Sequence, residues 1–134
     1  MTTRVAVCHC GQLEIACEGE PGRVAICHCP ACQLRCGTIG VYYDRARMTV
    51  TRGTSGTFEH DPGSGFPIKY HWCGDCSATV YWESARTPDL IGVAAHAFVD
   101  PEFPALPAGG AGRGHVWQSL ADAMDDAPPT AGPH

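Results

Sequence analysis

The sequence predicts an all-β fold of mainly antiparallel sheets, and three observations predict it. Sixteen glycines and eleven prolines among 134 residues interrupt the chain too often for long helices. The intervals between them hold short runs of alternating apolar and polar residues, the period of a half-buried strand. Tight groups of cysteines fall where those runs end. A hydrophobic content of 44% supplies material for a modest core. The formal charge of −5, with Lys69 as the one lysine and no basic run, argues against a nucleic-acid or anionic-membrane partner.

Each element follows from its local pattern. Arg4–Cys8 and Leu13–Cys17 alternate and are joined by His9-Cys10-Gly11-Gln12, which reads as a β-hairpin. Arg23–Cys27 is a third strand. Pro30 and Gly37 bound an irregular loop or single helical turn. Ile39–Tyr43 and Met48–Thr51 are strands linked by Asp44-Arg45-Ala46-Arg47. Thr57–His60 is a weaker strand candidate, while His60 with Asp61 also reads as loop, and Asp61-Pro62-Gly63-Ser64-Gly65 is a loop by its turn chemistry. Ile68–Trp72 and Thr79–Glu83 are strands flanking a cysteine turn. Asp89–Val99 reads as one long buried strand. Trp117–Met124 is the one expected helix. Residues 1–124 then form a single domain, and 125–134 a polar, Pro-rich, flexible tail. Tyr42, Tyr43, Tyr70, Trp72, Tyr81 and Trp82 are expected to pack the sheets.

Nine cysteines, an odd number at very short spacings, fit a disulfide scaffold poorly. Met1 to Val7 is too short for the apolar core of a targeting segment, and no run approaches the ~18 apolar residues of a membrane span. The expected compartment is the reducing cytoplasm, where clustered cysteines more often hold metal. Seven of the nine form three groups: Cys8-His9-Cys10, Cys27-His28-Cys29-Pro30-Ala31-Cys32 and Cys73-Gly74-Asp75-Cys76. Tetrahedral zinc is commonly held by two short-spaced pairs from distant segments, and Cys8/Cys10 with Cys73/Cys76 make such a set. Cys27, Cys29 and Cys32 offer three thiolates with an open fourth position, the pattern of a catalytic zinc. Cys36 lies four residues beyond Cys32, and if it binds the same ion that site is closed. Two zinc ions are therefore expected. His9 and His28, between ligands on extended chain, should point away from the sulfurs. His71 and His96, on expected strands, read as structural histidines.

The succession Cys8-x-Cys10-Gly11, Cys27-x-Cys29-x-x-Cys32 with Gly37, and Cys73-x-x-Cys76 resembles the glutathione-dependent formaldehyde-activating enzymes. The likeness runs over roughly residues 4–120 and includes Val99-Asp100-Pro101 and His115-Val116-Trp117. Ser77 departs from it, standing where the family usually has glycine, as do His96 and Cys36. The resemblance implies a β-tent of packed sheets, with Cys8, Cys10, Cys73 and Cys76 holding a structural zinc. It also implies that Cys27, Cys29 and Cys32 hold a catalytic zinc that a glutathione thiol can join.

Two classes of function follow. One is a carbon–sulfur lyase or thiol-adduct enzyme joining a small thiol such as glutathione to a small aldehyde such as formaldehyde. The other is a non-catalytic zinc protein or binding module whose metals are both structural. An open fourth position at the middle cysteines favours the first, and Cys36 as a ligand favours the second. Three thiolates on one dication leave a net charge of 2 − 3 = −1, and Arg35 is the nearest cation in sequence to offset it.

Overall fold

The structure is a computed structural model that describes residues 2–26, 39–61, 63, 65–100 and 102–104. Among the described residues nine strands run in order: β1 (Thr3–Val7), β2 (Glu14–Glu18), β3 (Arg23–Ile26), β4 (Ile39–Asp44), β5 (Met48–Arg52), β6 (Ser55–His60), β7 (Ile68–Cys73), β8 (Thr79–Ser84) and β9 (Leu90–Ala94). They form a three-stranded sheet, β1-β2-β5, and a six-stranded sheet, β3-β4-β9-β8-β7-β6. Every pairing is antiparallel. The fold is all-β, as the sequence pattern requires. Among the described residues the helical elements are two 3-10 turns, Arg45–Arg47 and Ala95–Ala97, and no helix is long and apolar enough to cross a membrane. The expected helix at Trp117–Met124 and the tail 125–134 lie outside the described residues.

The expected first hairpin forms in register, with Thr3 opposite Glu18 and Val7 opposite Glu14. Its inward residues Ala6, Leu13, Ile15 and Cys17 meet Val41, Tyr43, Val80, Ile91 and Val93 of the larger sheet. All of these are buried, so the core is the seam between the two sheets. Removing each of the Leu, Ile and Val side chains from water contributes about 1.5–3 kcal/mol. The Tyr43 hydroxyl stays satisfied there by donating to the Gly19 carbonyl (2.9 Å). Tyr42 and Trp82 pack edge to face at 6.4 Å between centroids. The aromatic residues serve as sheet packing.

Two expectations are corrected. The run Asp89–Val99 is not one strand: β9 ends at Ala94, and Ala95-His96-Ala97 turns before Phe98 bridges to Ala6 of the smaller sheet. An unbroken strand would stay in one sheet. Alanine has little β preference, and the turn carries the chain across the seam. His60 is not loop but the last residue of β6, which starts two residues earlier than expected. There its ring stacks with Phe58. The following loop behaves as its composition demands, the Asp61 carboxylate accepting from the N–H groups of Gly63 and Gly65.

Candidate metal centre

Cys8 and Cys10 lie on the turn that joins β1 to β2. Ladder pairing continues one step beyond β1, with the Cys8 N–H donating to the Leu13 carbonyl (3.0 Å). The chain then reverses, the Gly11 N–H donating to the Cys8 carbonyl (3.1 Å). Gly11 takes φ +86°, a left-handed conformation that glycine adopts without a Cβ clash. The tight turn, rather than an extended chain, brings Cys10 Sγ to 3.7 Å from Cys8 Sγ. His9 is exposed and lies outside this group.

Cys73 and Cys76 sit on the matching turn between β7 and β8. The Cys73 N–H donates to the Ala78 carbonyl (2.9 Å), and the Ser77 N–H donates to the Cys73 carbonyl (2.8 Å). Ser77 takes φ +70°, the one non-glycine with positive φ among the described residues. A glycine would adopt this left-handed conformation without a Cβ clash. Here serine bears the steric cost, about 1–2 kcal/mol.

The two turns meet at the junction of the sheets. Cys10 Sγ lies 3.6 Å from Cys73 Sγ, and all four sulfurs of Cys8, Cys10, Cys73 and Cys76 fall within 4.8 Å of one another. A disulfide would need about 2.05 Å, and these thiols are free. Four sulfurs about 2.3 Å from a central zinc are about 3.8 Å apart along a tetrahedron edge. The donor set fits the ion in type, number and spacing.

Backbone N–H groups surround the sulfurs. Leu13 donates to Cys8 Sγ (3.2 Å), and Asp75 and Cys76 donate to Cys73 Sγ (3.3 and 3.4 Å). Burial opposes the Cys73 thiolate, but the N–H donors of Cys76, Gln12 and Asp75 prevail and lower its pKa to about 6. The N–H groups of Ala78 and Cys10 likewise lower Cys76. At Cys10 the Gln12 N–H favours the thiolate. Desolvation and the sulfurs of Cys73, Cys8 and Cys76 outweigh it and push the pKa up to about 12. N–H donors thus favour a thiolate at Cys73, while burial and neighbouring sulfurs oppose one at Cys10. Bringing Cys10 to the same state calls for a cation among the sulfurs.

Sequence reasoning missed three supporting residues. Gln12 pairs with Thr54 and reaches Cys73 Sγ (3.3 Å). Arg52 donates twice to the Gly11 carbonyl (2.9 and 2.7 Å). Gly53 turns at φ +82°, and a Cβ there would fall 1.9 Å from the Gln12 carbonyl oxygen. No spacing rule marks contacts between residues 41 to 61 positions apart. The glycine between two strand patterns was the available signal.

His71 is the satisfied structural histidine the pattern suggests. Its Nδ1 faces Ser55 Oγ (2.9 Å), its Nε2 faces Glu83 (2.6 Å), and its ring stacks on Tyr81 at 4.1 Å. Glu83 also pairs with Arg45 (2.5 Å). Burial would raise the Glu83 pKa, but His71 and Arg45 lower it. His96 is exposed on the second 3-10 turn. Cys27, Cys29, Cys32 and Cys36, with His28 and Arg35, lie outside the described residues, as do His115 and Trp117.

The family model of the glutathione-dependent formaldehyde-activating enzymes matches residues 3–117. The chain belongs to this family. Its zinc-binding character agrees with the four-sulfur cluster, and the match spans both cysteine turns. The fold is similar to that in a crystal structure of a Rhodobacter sphaeroides protein determined by structural genomics. That likeness has a TM-score of 0.61 and 22% identity, and covers 72% of this chain and 88% of the other. At that identity it speaks for the fold alone. Among curated proteins, none matches.

Proposed function

We propose that this chain is a zinc-dependent carbon–sulfur lyase that joins a small thiol, glutathione or an analogue, to a small aldehyde such as formaldehyde. The observation that carries the reading is the family match over residues 3–117, which includes all three cysteine groups. In this reading residues 1–124 are one cytoplasmic domain and 125–134 its tail. Cys8, Cys10, Cys73 and Cys76 hold a structural zinc that cross-links the two sheets. Cys27, Cys29 and Cys32 hold a second zinc and form the catalytic set.

Zinc at the second position would supply an open coordination site and acidify a thiol there, the thiolate being the reactive form. In the net reaction the thiol sulfur bonds to the aldehyde carbon, and the thiol proton ends on the aldehyde oxygen. The product from glutathione and formaldehyde is S-hydroxymethylglutathione, and its breakdown is carbon–sulfur cleavage. The cysteines fix where the sulfur arrives, and Arg35 offsets their negative charge.

The test combines metal content, thiol binding and exchange. Purified protein should hold about two zinc ions per chain. Glutathione should change the cobalt spectrum of the wild type, with Cys36→Ser adding little. Magnetisation-transfer NMR at equilibrium should show enzyme-accelerated exchange between free formaldehyde and its glutathione adduct, abolished by Cys29→Ser. Thiol binding without acceleration would remove the enzyme and leave a thiol-binding zinc protein. A spectrum indifferent to glutathione until Cys36 is replaced would establish the closed, structural alternative.

A further inference from the structure

Gln12 closes the first cysteine turn, and its side chain reaches across to the second. Its side chain grips the backbone of Thr54 at both ends: the Thr54 N–H donates to Gln12 Oε1 (2.7 Å), and Gln12 Nε2 donates to the Thr54 carbonyl (3.1 Å). That grip settles the orientation of the amide, because the N–H requires the oxygen and the carbonyl requires the nitrogen. The second hydrogen on Nε2 is then directed to Cys73 Sγ, 3.3 Å away. The other donors named to these sulfurs are backbone N–H groups, whose positions follow from the turns themselves. Gln12 is a side chain from the first turn serving a sulfur of the second.

Its other contact is equally specific. Gly53 and Thr54 form the two-residue corner by which the chain leaves β5 in the small sheet and enters β6 in the large one. The close approach of Gly53 to Gln12 leaves no room for a Cβ. Arg52 secures the same corner to the first turn through Gly11. Three segments therefore converge on the cysteines: the two turns and the β5–β6 corner.

We propose that Gln12 is a positioning residue for the four-cysteine centre, donating a hydrogen bond to Cys73 Sγ and pinning the β5–β6 corner against it. The proposal rests on the reading of these cysteines as a zinc centre. An N–H donor withdraws charge from a thiolate sulfur and fixes its lone pairs. Outer contacts of this kind typically alter metal affinity about 10–100-fold. Gln12 also holds the first turn beside Cys73 before any ion arrives, so less ordering remains to be done on binding.

The test uses the full chain, loaded with cobalt or cadmium-113, as wild type, Gln12→Ala and Gln12→Glu. Gln12→Ala should weaken zinc binding at this centre about 10–100-fold in competition with a chromogenic chelator. It should also move the cobalt sulfur-to-metal band to lower energy, since a sulfur stripped of a donor holds its electrons less tightly. Gln12→Glu keeps the size and the acceptor for Thr54 but, ionised, donates nothing and sets a negative charge against the Thr54 carbonyl and Cys73 Sγ. It should reproduce the band shift with at least as large a loss of affinity, whereas a residue that mattered only for packing would leave both near wild type. In the wild type, one Gln12 side-chain amide proton should show scalar coupling to cadmium across the hydrogen bond. Variants that bind zinc within twofold of wild type with an unmoved band would overturn the proposal. If the variants fail to fold, the wild-type coupling decides, its absence counting against Gln12. A wild type lacking any four-sulfur cadmium resonance would instead remove the zinc centre itself, a separate and recognisable failure.

Discussion

The two cysteine turns do the same job with different chemistry. Both follow a strand, both reverse through a left-handed residue, and both bring a pair of sulfurs to the junction of the sheets. The first uses Gly11 at the left-handed position and leaves Cys10 exposed. The second uses Ser77, buries Cys73 and directs Asp75, Cys76 and Gln12 donors at that one sulfur. Each turn also buries one sulfur, Cys8 and Cys73, so the difference lies at single sulfurs: N–H donors favour a thiolate at Cys73, while burial and neighbouring sulfurs oppose one at Cys10. A four-sulfur site need not be symmetric in energy merely because it is symmetric in ligands.

The sharpest way to break that comparison is to remove one sulfur from each half. Cys73→Ser should abolish tight zinc binding and lower stability by more than about 4 kcal/mol, since binding energy here is folding energy. Cys10→Ser should keep a weakened ion and a cooperative melt. Elemental analysis and thermal unfolding of the two variants check this, and equal losses would contradict the asymmetry. Cys29→Ser, whose partners are local in sequence, should leave the thermal transition cooperative.

Acidity sharpens the comparison next. In the metal-free protein the folded pKa of Cys73, about 6, lies below an unfolded thiol value of about 8.5. Stability from this group is fully present above the unfolded value and is lost as pH falls through about 6. Cys17 is the opposite case, a core thiol whose pKa burial pushes up to about 12, as it does for Tyr43. Those groups favour folding below their unfolded values and cost stability as pH rises toward about 12. Denaturant titrations of chelated protein from about pH 5 to about pH 11 should show both slopes, and Cys17→Ala should flatten the alkaline one.

The smallest effect concerns the turn conformations. Ser77→Gly should stabilise the protein by about 1 kcal/mol, because it removes the left-handed penalty less the added chain entropy. Gly11→Ala should cost about 1 kcal/mol or more for the same reason, since the nearest atom to its new Cβ would be 3.9 Å away and no clash contributes. Paired denaturant melts of zinc-loaded protein measure both. Effects of the same sign would deny that the two turns share a geometry.

Much of this was legible in residue order. Strand period and turn residues place eight of the nine strands to within about two residues, the usual uncertainty of element ends. The ninth, β9, was read too long because Ala95-His96-Ala97 is apolar enough to pass for strand, and local pattern carries no information about which sheet the next residue joins. The cysteine pairs declared a four-sulfur centre because short spacing holds two ligands on one turn, a purely local property. The same locality marks Cys27, Cys29 and Cys32, whose assignment stays with the proposed function.

What the sequence determined by itself was therefore the strand pattern, the donor atoms and the family. Each rests on covalent neighbours and a period of two residues. The tertiary structure decided which cysteines are buried, which sulfur draws the most N–H donors, that Ser77 occupies a glycine conformation, and that Gln12 spans the two turns. Those properties depend on distances between segments some 40 to 65 residues apart along the chain. Packing of one sheet on the other sets such distances, and the hydrogen bonds and desolvation that tune the centre exist only once the two turns have met.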